Sequence, residues 1–159
     1  MSRVFCTSVL LLLLLGCAQQ ETKKLPPFRV VADVHELMEG LVAPAADVVF
    51  KSVGSIISEK GIEEIQPKDD QGWEVVEHAA LGLAESANLL MLEGRAVDQG
   101  DWIKHSQDLI DRSLDAAKMA KEKDKDGLLE AGGEVYVVCQ SCHMQYIKED
   151  GTAVTAEKK

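Results

Sequence analysis

The sequence predicts an all-α fold, an antiparallel four-helix bundle, on three observations. Apolar residues recur at helical spacing through four long stretches. No run of Val, Ile and Thr alternates with polar residues in the manner of a half-buried strand. The composition is rich in Ala, Leu, Val, Glu, Lys and Asp, and only 4% aromatic, which suits helices. Of the 159 residues, the stretch from Cys17 to Lys159 is one domain's worth, long enough for a real core. The whole chain's formal net charge of −10 argues against nucleic acid and anionic membrane surfaces as partners; an acidic surface also keeps a protein soluble.

The amino terminus reads as an export signal. Arg3 gives it a positive start, and the apolar run Val9 to Leu15 follows. That run is too short for a comfortable transmembrane helix and fits the core of a signal peptide. It ends Leu14-Leu15-Gly16-Cys17, which resembles a bacterial lipobox. The resemblance implies lipidation of Cys17 and cleavage before it, so residues 1–16 are the signal peptide. An ordinary signal peptide cut near Ala18 is the other reading. Acyl chains on one Cys anchor a protein stably when there is more than one of them. Ala18, where an Asp would bias sorting the other way, leans towards the outer membrane. The polar stretch that follows, ended by Pro26-Pro27, makes 17–27 a tether between lipid and domain.

Residues 28–148 then form the domain. The first helix is expected from about Phe28 to Ser58, with Val31, Val34, Met38, Leu41, Ala45, Val49, Val53 and Ile56 on its apolar stripe. Pro44 lies inside it and should kink or split it. Gly61 and Pro67 mark a loop. The second helix, capped at Asp69 or Asp70, runs from Gly72 to about Leu92 on a stripe of Trp73, Val76, Ala80, Leu83, Ala87 and Leu90, and Gly94 stops it. The third runs from near Asp101 to about Lys123, with Trp102, Ile103, Leu109, Ile110, Ala117 and Ala120 inward. Asp124 or Asp126 caps the fourth, which carries Leu128, Leu129, Val135, Cys139, Cys142, His143 and Tyr146. Short connections make the later helices antiparallel neighbours. Trp73 and Trp102, each in a first turn, are expected to plug the ends of the core. Residues 149–159 are polar without an apolar period and read as a flexible tail.

The chemistry lies in Cys139-Gln140-Ser141-Cys142-His143, the C-x-x-C-H attachment site for a c-type haem. Both thiols add across the haem vinyl groups, and the adjacent histidine becomes an axial iron ligand. On a helix, i, i+3 and i+4 share one face, so all three groups point at one side of a planar macrocycle. A zinc knuckle needs four ligands, and the chain has no second Cys pair to supply them. A thioredoxin-like C-x-x-C belongs after a strand. A simple disulfide stays open as the plainer reading. The cysteine arithmetic closes: Cys6 leaves with the signal, Cys17 takes lipid, and Cys139 and Cys142 take haem.

With Tyr146 the pattern becomes C-x-x-C-H-x-x-Y on the last helix of a four-helix bundle. This resembles the class II cytochromes c, the cytochrome c prime group and its low-spin relatives, over roughly Phe28 to Tyr146. The chain departs from many members in carrying Ile147, with Lys148 one later, where a basic residue follows the Tyr. The resemblance implies one covalent haem c with His143 as axial ligand, and a side chain of the first helix over the opposite face. Low-spin members carry a Met there and transfer electrons; five-coordinate members carry an apolar residue there and bind nitric oxide or carbon monoxide. Here Glu36-Leu37-Met38-Glu39 matches the low-spin step. The implied sixth ligand is Met38, a soft thioether that raises the potential. A Met on a helix stripe also serves simply as core. His35, one turn earlier, is the competing ligand, a propionate partner or a surface residue.

The expected function is therefore electron transfer on the periplasmic side of a bacterial membrane, with an unidentified redox partner, a lipid anchor to the membrane, and homodimers as related bundles form. Gas binding or sensing at an open sixth site is the alternative. No nucleophile–base constellation marks an enzyme. His78 and His105 read as surface residues, Arg95 as a loop residue near a helix C-terminus, and Gly132-Gly133 as allowing close approach of a helix or the haem edge.

Overall fold

The structure, a computed structural model, describes residues 27–148 and 151–154. It is mostly helical, with a small two-stranded sheet. The elements run α1 (Val34–Leu37), a π-helical turn (Met38–Val42), α2 (Ala43–Ser52), β1 (Gly54–Ser58), β2 (Gly61–Ile65), α3 (Asp70–Leu90), α4 (Asp101–Glu122) and α5 (Lys125–Tyr146). Among the described residues no helix is long and apolar enough to cross a membrane.

The first helical segment begins later than its apolar period suggested. Phe28 to Ala32 is not helical, and Asp33 starts the helix with a capping box. Its carboxylate accepts from the Glu36 N–H, and the Glu36 carboxylate accepts from the Asp33 N–H, which satisfies donors a helix start leaves orphaned. Pro44 neither breaks the segment nor leaves it regular. Proline has no N–H to give the preceding turn, and the backbone there widens: the Ala43 N–H donates to the Met38 carbonyl, five residues back. The extra residue in that turn rotates everything after it. Leu41 and Ala45 were expected inward; Leu41 is 52% exposed, and Val42 and Ala46 take the buried positions instead. Val49 then falls on the core as predicted.

The sheet is a correction. The stripe was carried as helix through Val53 and Ile56, with a loop around Gly61. The chain instead leaves the helix at Val53, in extended conformation, and forms an antiparallel hairpin pairing Gly54 with Ile65 through Ser58 with Gly61. Gly61, at φ 119°, supplies a backbone conformation that side chains disfavour. The Ser55 hydroxyl donates to Glu64 at 2.9 Å, and Lys125 at the start of α5 pairs with the same carboxylate. Those two contacts hold the Glu64 carboxyl below its usual range. Val53 is buried, but Ile56 is 50% exposed.

The three long helices follow their caps. Asp69 accepts from the Gly72 N–H to open α3, Lys123 closes α4 in the left-handed conformation, and Asp124 accepts from the Gly127 N–H to open α5. Cross-helix contacts set the directions. Lys123 near the end of α4 pairs with Asp70 at the start of α3. The Trp102 indole N–H, at the start of α4, donates to the Leu90 carbonyl at the end of α3. Gln145, late in α5, donates to Asp101 at the start of α4. Phe50 of α2 meets Tyr136 of α5 edge-on at 6.2 Å. Neighbouring helices therefore run antiparallel.

The core has two centres. One gathers Val49, Val53, Trp73, Val76, Ala80, Ala116, Ala120 and Leu128. The other gathers Leu37, Val42, Leu83, Leu90, Trp102, Leu109, Val135 and Tyr146. Each tryptophan anchors one of them, as expected. The predicted α3 stripe is buried in full. Leu129 and Val31 are corrections: they are 53% and 76% exposed. The tail also differs. Among its described residues, Ala153 bridges to Ile147, the Val154 N–H donates to the Tyr146 carbonyl at 2.8 Å, and Val154 packs on the second core centre. The predicted signal peptide and Cys17 lie outside the described residues.

Candidate functional site

Cys139, Cys142 and His143 sit on α5 at i, i+3 and i+4, so the helix brings them to one face. That face opens into a cavity of about 530 Å³, inside the range of roughly 300–1,000 Å³ typical of small-molecule and cofactor sites. The turn between α1 and α2 supplies Met38 and Val42 to its wall, α2 supplies Ala46 and Phe50, α4 supplies Trp102, His105 and Leu109, and α3 supplies Leu90. All three residues of the motif and Met38 line this one space. Cys139, Cys142 and Met38 are half-buried and pack on the adjoining core centre, while His143 is exposed. The π-helical turn begins at Met38, so the widened turn that Pro44 imposes is also where that thioether enters the wall.

The two thiols are free and weakly acidic. Burial pushes the Cys139 thiol up. Burial, and then the neighbouring Cys139, push Cys142 up to about 11. Thiol-exchange motifs instead lower a thiol's pKa to make a reactive thiolate. Both thiols line a largely apolar cavity large enough for a planar macrocycle. Among the described residues no group of three or more His, Cys, Asp or Glu side chains is placed to hold a bare metal ion.

His35 does not join the site. Its side chain is 73% exposed and pairs with Glu39 at 3.5 Å. Gly132 and Gly133 do not line the cavity either. A methyl group at Gly132 would meet Val49 of α2 at an ordinary 3.8 Å, and one at Gly133 would meet nothing within 4 Å. Arg95 is a loop residue, as expected, but a buried one. Its guanidinium donates to the carbonyls of Ala32 at 3.0 Å and Leu89 at 3.1 Å, which fixes the entry to α1 beside the end of α3. His78 is at the surface, as expected.

His105 is the residue that sequence reasoning missed. It was read as a surface residue; it is half-buried and lines the cavity. A signal was present: Trp102, His105, Ser106 and Leu109 stand at i, i+3, i+4 and i+7, a single helical stripe, and all four line the chamber. Tyr146, the last element of the motif, is buried and donates to Asp98 at 2.5 Å. Burial, then the Asp98 carboxylate, raise its pKa; the same bond, with the N–H groups of Gly100 and Trp102, lowers that of Asp98. Comparison of the chain with protein-family models, curated proteins and solved structures finds no match.

Proposed function

We propose that this chain is a c-type cytochrome of the class II kind: an antiparallel four-helix bundle carrying one haem c, joined through Cys139 and Cys142, that transfers electrons. The observation that carries the reading is the convergence of Cys139, Cys142, His143 and Met38 on one apolar cavity of cofactor size. A covalently bound haem would supply a one-electron Fe(III)/Fe(II) couple. Each side chain then has a defined task. Cys139 and Cys142 form the two thioether tethers. His143 presents an imidazole from the same helical face. Met38, from the turn before α2, offers a thioether sulfur to the same cavity, a soft donor that favours the reduced state. Leu90, Trp102 and Leu109 give the chamber apolar lining. A fixed His–Met pair leaves nothing to rearrange between oxidation states, which suits electron transfer more than ligand binding. By the same proposal Cys17 carries the lipid, and the domain works on the periplasmic side of a bacterial membrane.

The test is the visible spectrum of protein matured with haem, oxidised, reduced, and reduced under carbon monoxide. A sharp low-spin reduced spectrum indifferent to carbon monoxide is expected. A high-spin spectrum that shifts with carbon monoxide would replace electron transfer by gas binding, and a colourless protein would remove the haem reading.

A further inference from the structure

The last turn of α5, which carries His143, is fastened from several sides. His105 Nε2 lies 3.0 Å from Gln145 Oε1. The Gln145 amide donates at 3.0 Å to Asp101 in the first turn of α4. The next residue, Tyr146, donates to Asp98, meets the His105 ring edge-on at 6.3 Å and the Trp102 ring at 5.0 Å. The Ile147 N–H closes the helix by donating to the His143 carbonyl at 2.9 Å. His105 also lines the cavity.

We propose that His105 is a positioning residue for His143: through its hydrogen bond to Gln145 it sets how the last turn of α5 presents the imidazole to the cavity. The proposal rests on the haem reading for its functional consequence, though not for its structural one. A helix end frays unless its groups are partnered, and α5 ends at Tyr146, three residues after His143. Pinning Gln145 to α4 at both ends of its amide removes the freedom of that turn to rotate. A partner bonded directly to a metal-ligating histidine is typically worth 10–100-fold in affinity or activity; His105 acts at one remove, through Gln145, so the lower end of that range is expected.

Two substitutions separate the hydrogen bond from mere space filling. His105→Leu fills the site without a donor, and His105→Gln keeps a donor for Gln145 Oε1. In the haem-loaded protein, the leucine variant is expected to shift the Fe(III)/Fe(II) equilibrium about tenfold, which is ~59 mV for a one-electron couple, and to alter the electron paramagnetic resonance signature of the oxidised iron. The glutamine variant should keep both at wild-type values. Gln145→Leu, which also removes the bond to Asp101, should shift the equilibrium at least as far, and adding His105→Leu to it should change nothing further, since the His105–Gln145 bond is already gone. In the apoprotein, amide hydrogen exchange at Ile147 should quicken in His105→Leu and not in His105→Gln. Equal shifts in the leucine and glutamine variants, or none in either, overturn the proposal while leaving the haem reading intact. A wild-type chain that takes up no haem overturns that reading instead, and the exchange measurement then decides alone whether His105 orders the turn.

Discussion

Met38 separates the packing of the first helical segment from its chemistry, because two substitutions divide the two roles. The side chain is half-buried and packs on the core centre formed by Leu37, Val42, Leu90 and Trp102. Truncating a fully buried Met to Ala costs ~2–5 kcal/mol; half of that burial gives roughly 1–2.5 kcal/mol for Met38→Ala. For a domain of this size that is a fall in Tm of about 4–10 °C. Met38→Leu conserves the volume and should cost under ~1.5 kcal/mol, yet it removes the sulfur as completely. Urea unfolding of the two apoproteins should therefore rank them wild type, leucine, alanine. The spectra of the loaded proteins should not follow that ranking: both variants should lose the low-spin signature equally and gain a carbon monoxide response. A leucine variant with an unchanged low-spin spectrum would refute the assignment of Met38 as the sixth ligand. An alanine variant as stable as wild type would refute its place in the core.

Three further outcomes follow from the packing. Ser113 is fully buried, and its hydroxyl has no hydrogen-bond partner among the described residues; Ser113→Ala should stabilise the protein by about 1 kcal/mol in urea unfolding, and a loss of stability would mean that the hydroxyl is satisfied. Gly133→Ala, in open space on a helix, should stabilise by roughly 0.5–1 kcal/mol, whereas Gly127→Ala should destabilise. Its methyl group would approach the Met119 sulfur to 2.5 Å and the Asp124 capping carboxylate to 2.6 Å; equal thermal shifts in the two variants would contradict this. Tyr146 has a raised pKa in the fold, so its contribution is complete below the ordinary tyrosine value of about 10 and fades as pH climbs above it towards the raised folded value. A pH series of Tm should show that alkaline loss in wild type and not in Tyr146→Phe.

The long helices were legible because their signals agreed. On α3, the Asp69 cap and the stripe from Trp73 to Leu90 pointed to the same element. The motif was legible because three residues of fixed spacing need only a helix to meet. The first helical segment misled where two local effects intervened. Pro44 forced a wide turn that moved the buried positions from Leu41 and Ala45 to Val42 and Ala46, which no 3.6-residue period anticipates. Beyond it, Val53 and Ile56 kept a helical spacing by coincidence, although Val53 is the extended residue that ends α2 and Ile56 lies in β1. Gly54 and Gly61, bracketing a β-branched run, were the available sign of a hairpin. His105 was set aside for its polar neighbours, although its stripe mates are Trp102 and Leu109; the face of a helix decides burial, and adjacent residues lie on other faces. The return of Val154 to Tyr146 depends on backbone hydrogen bonds, to which a polar tail gives no sequence pattern.

The central claim, covalent haem on Cys139 and Cys142, is tested most directly by the mass of the intact protein after denaturation, purified from a host that attaches haem outside the cytoplasm. The account predicts a polypeptide heavier by one haem that survives unfolding, and loss of that added mass in the Cys139→Ser, Cys142→Ser double variant. A wild-type chain without added mass, or one lighter by a pair of hydrogens through a Cys139–Cys142 disulfide, would contradict it.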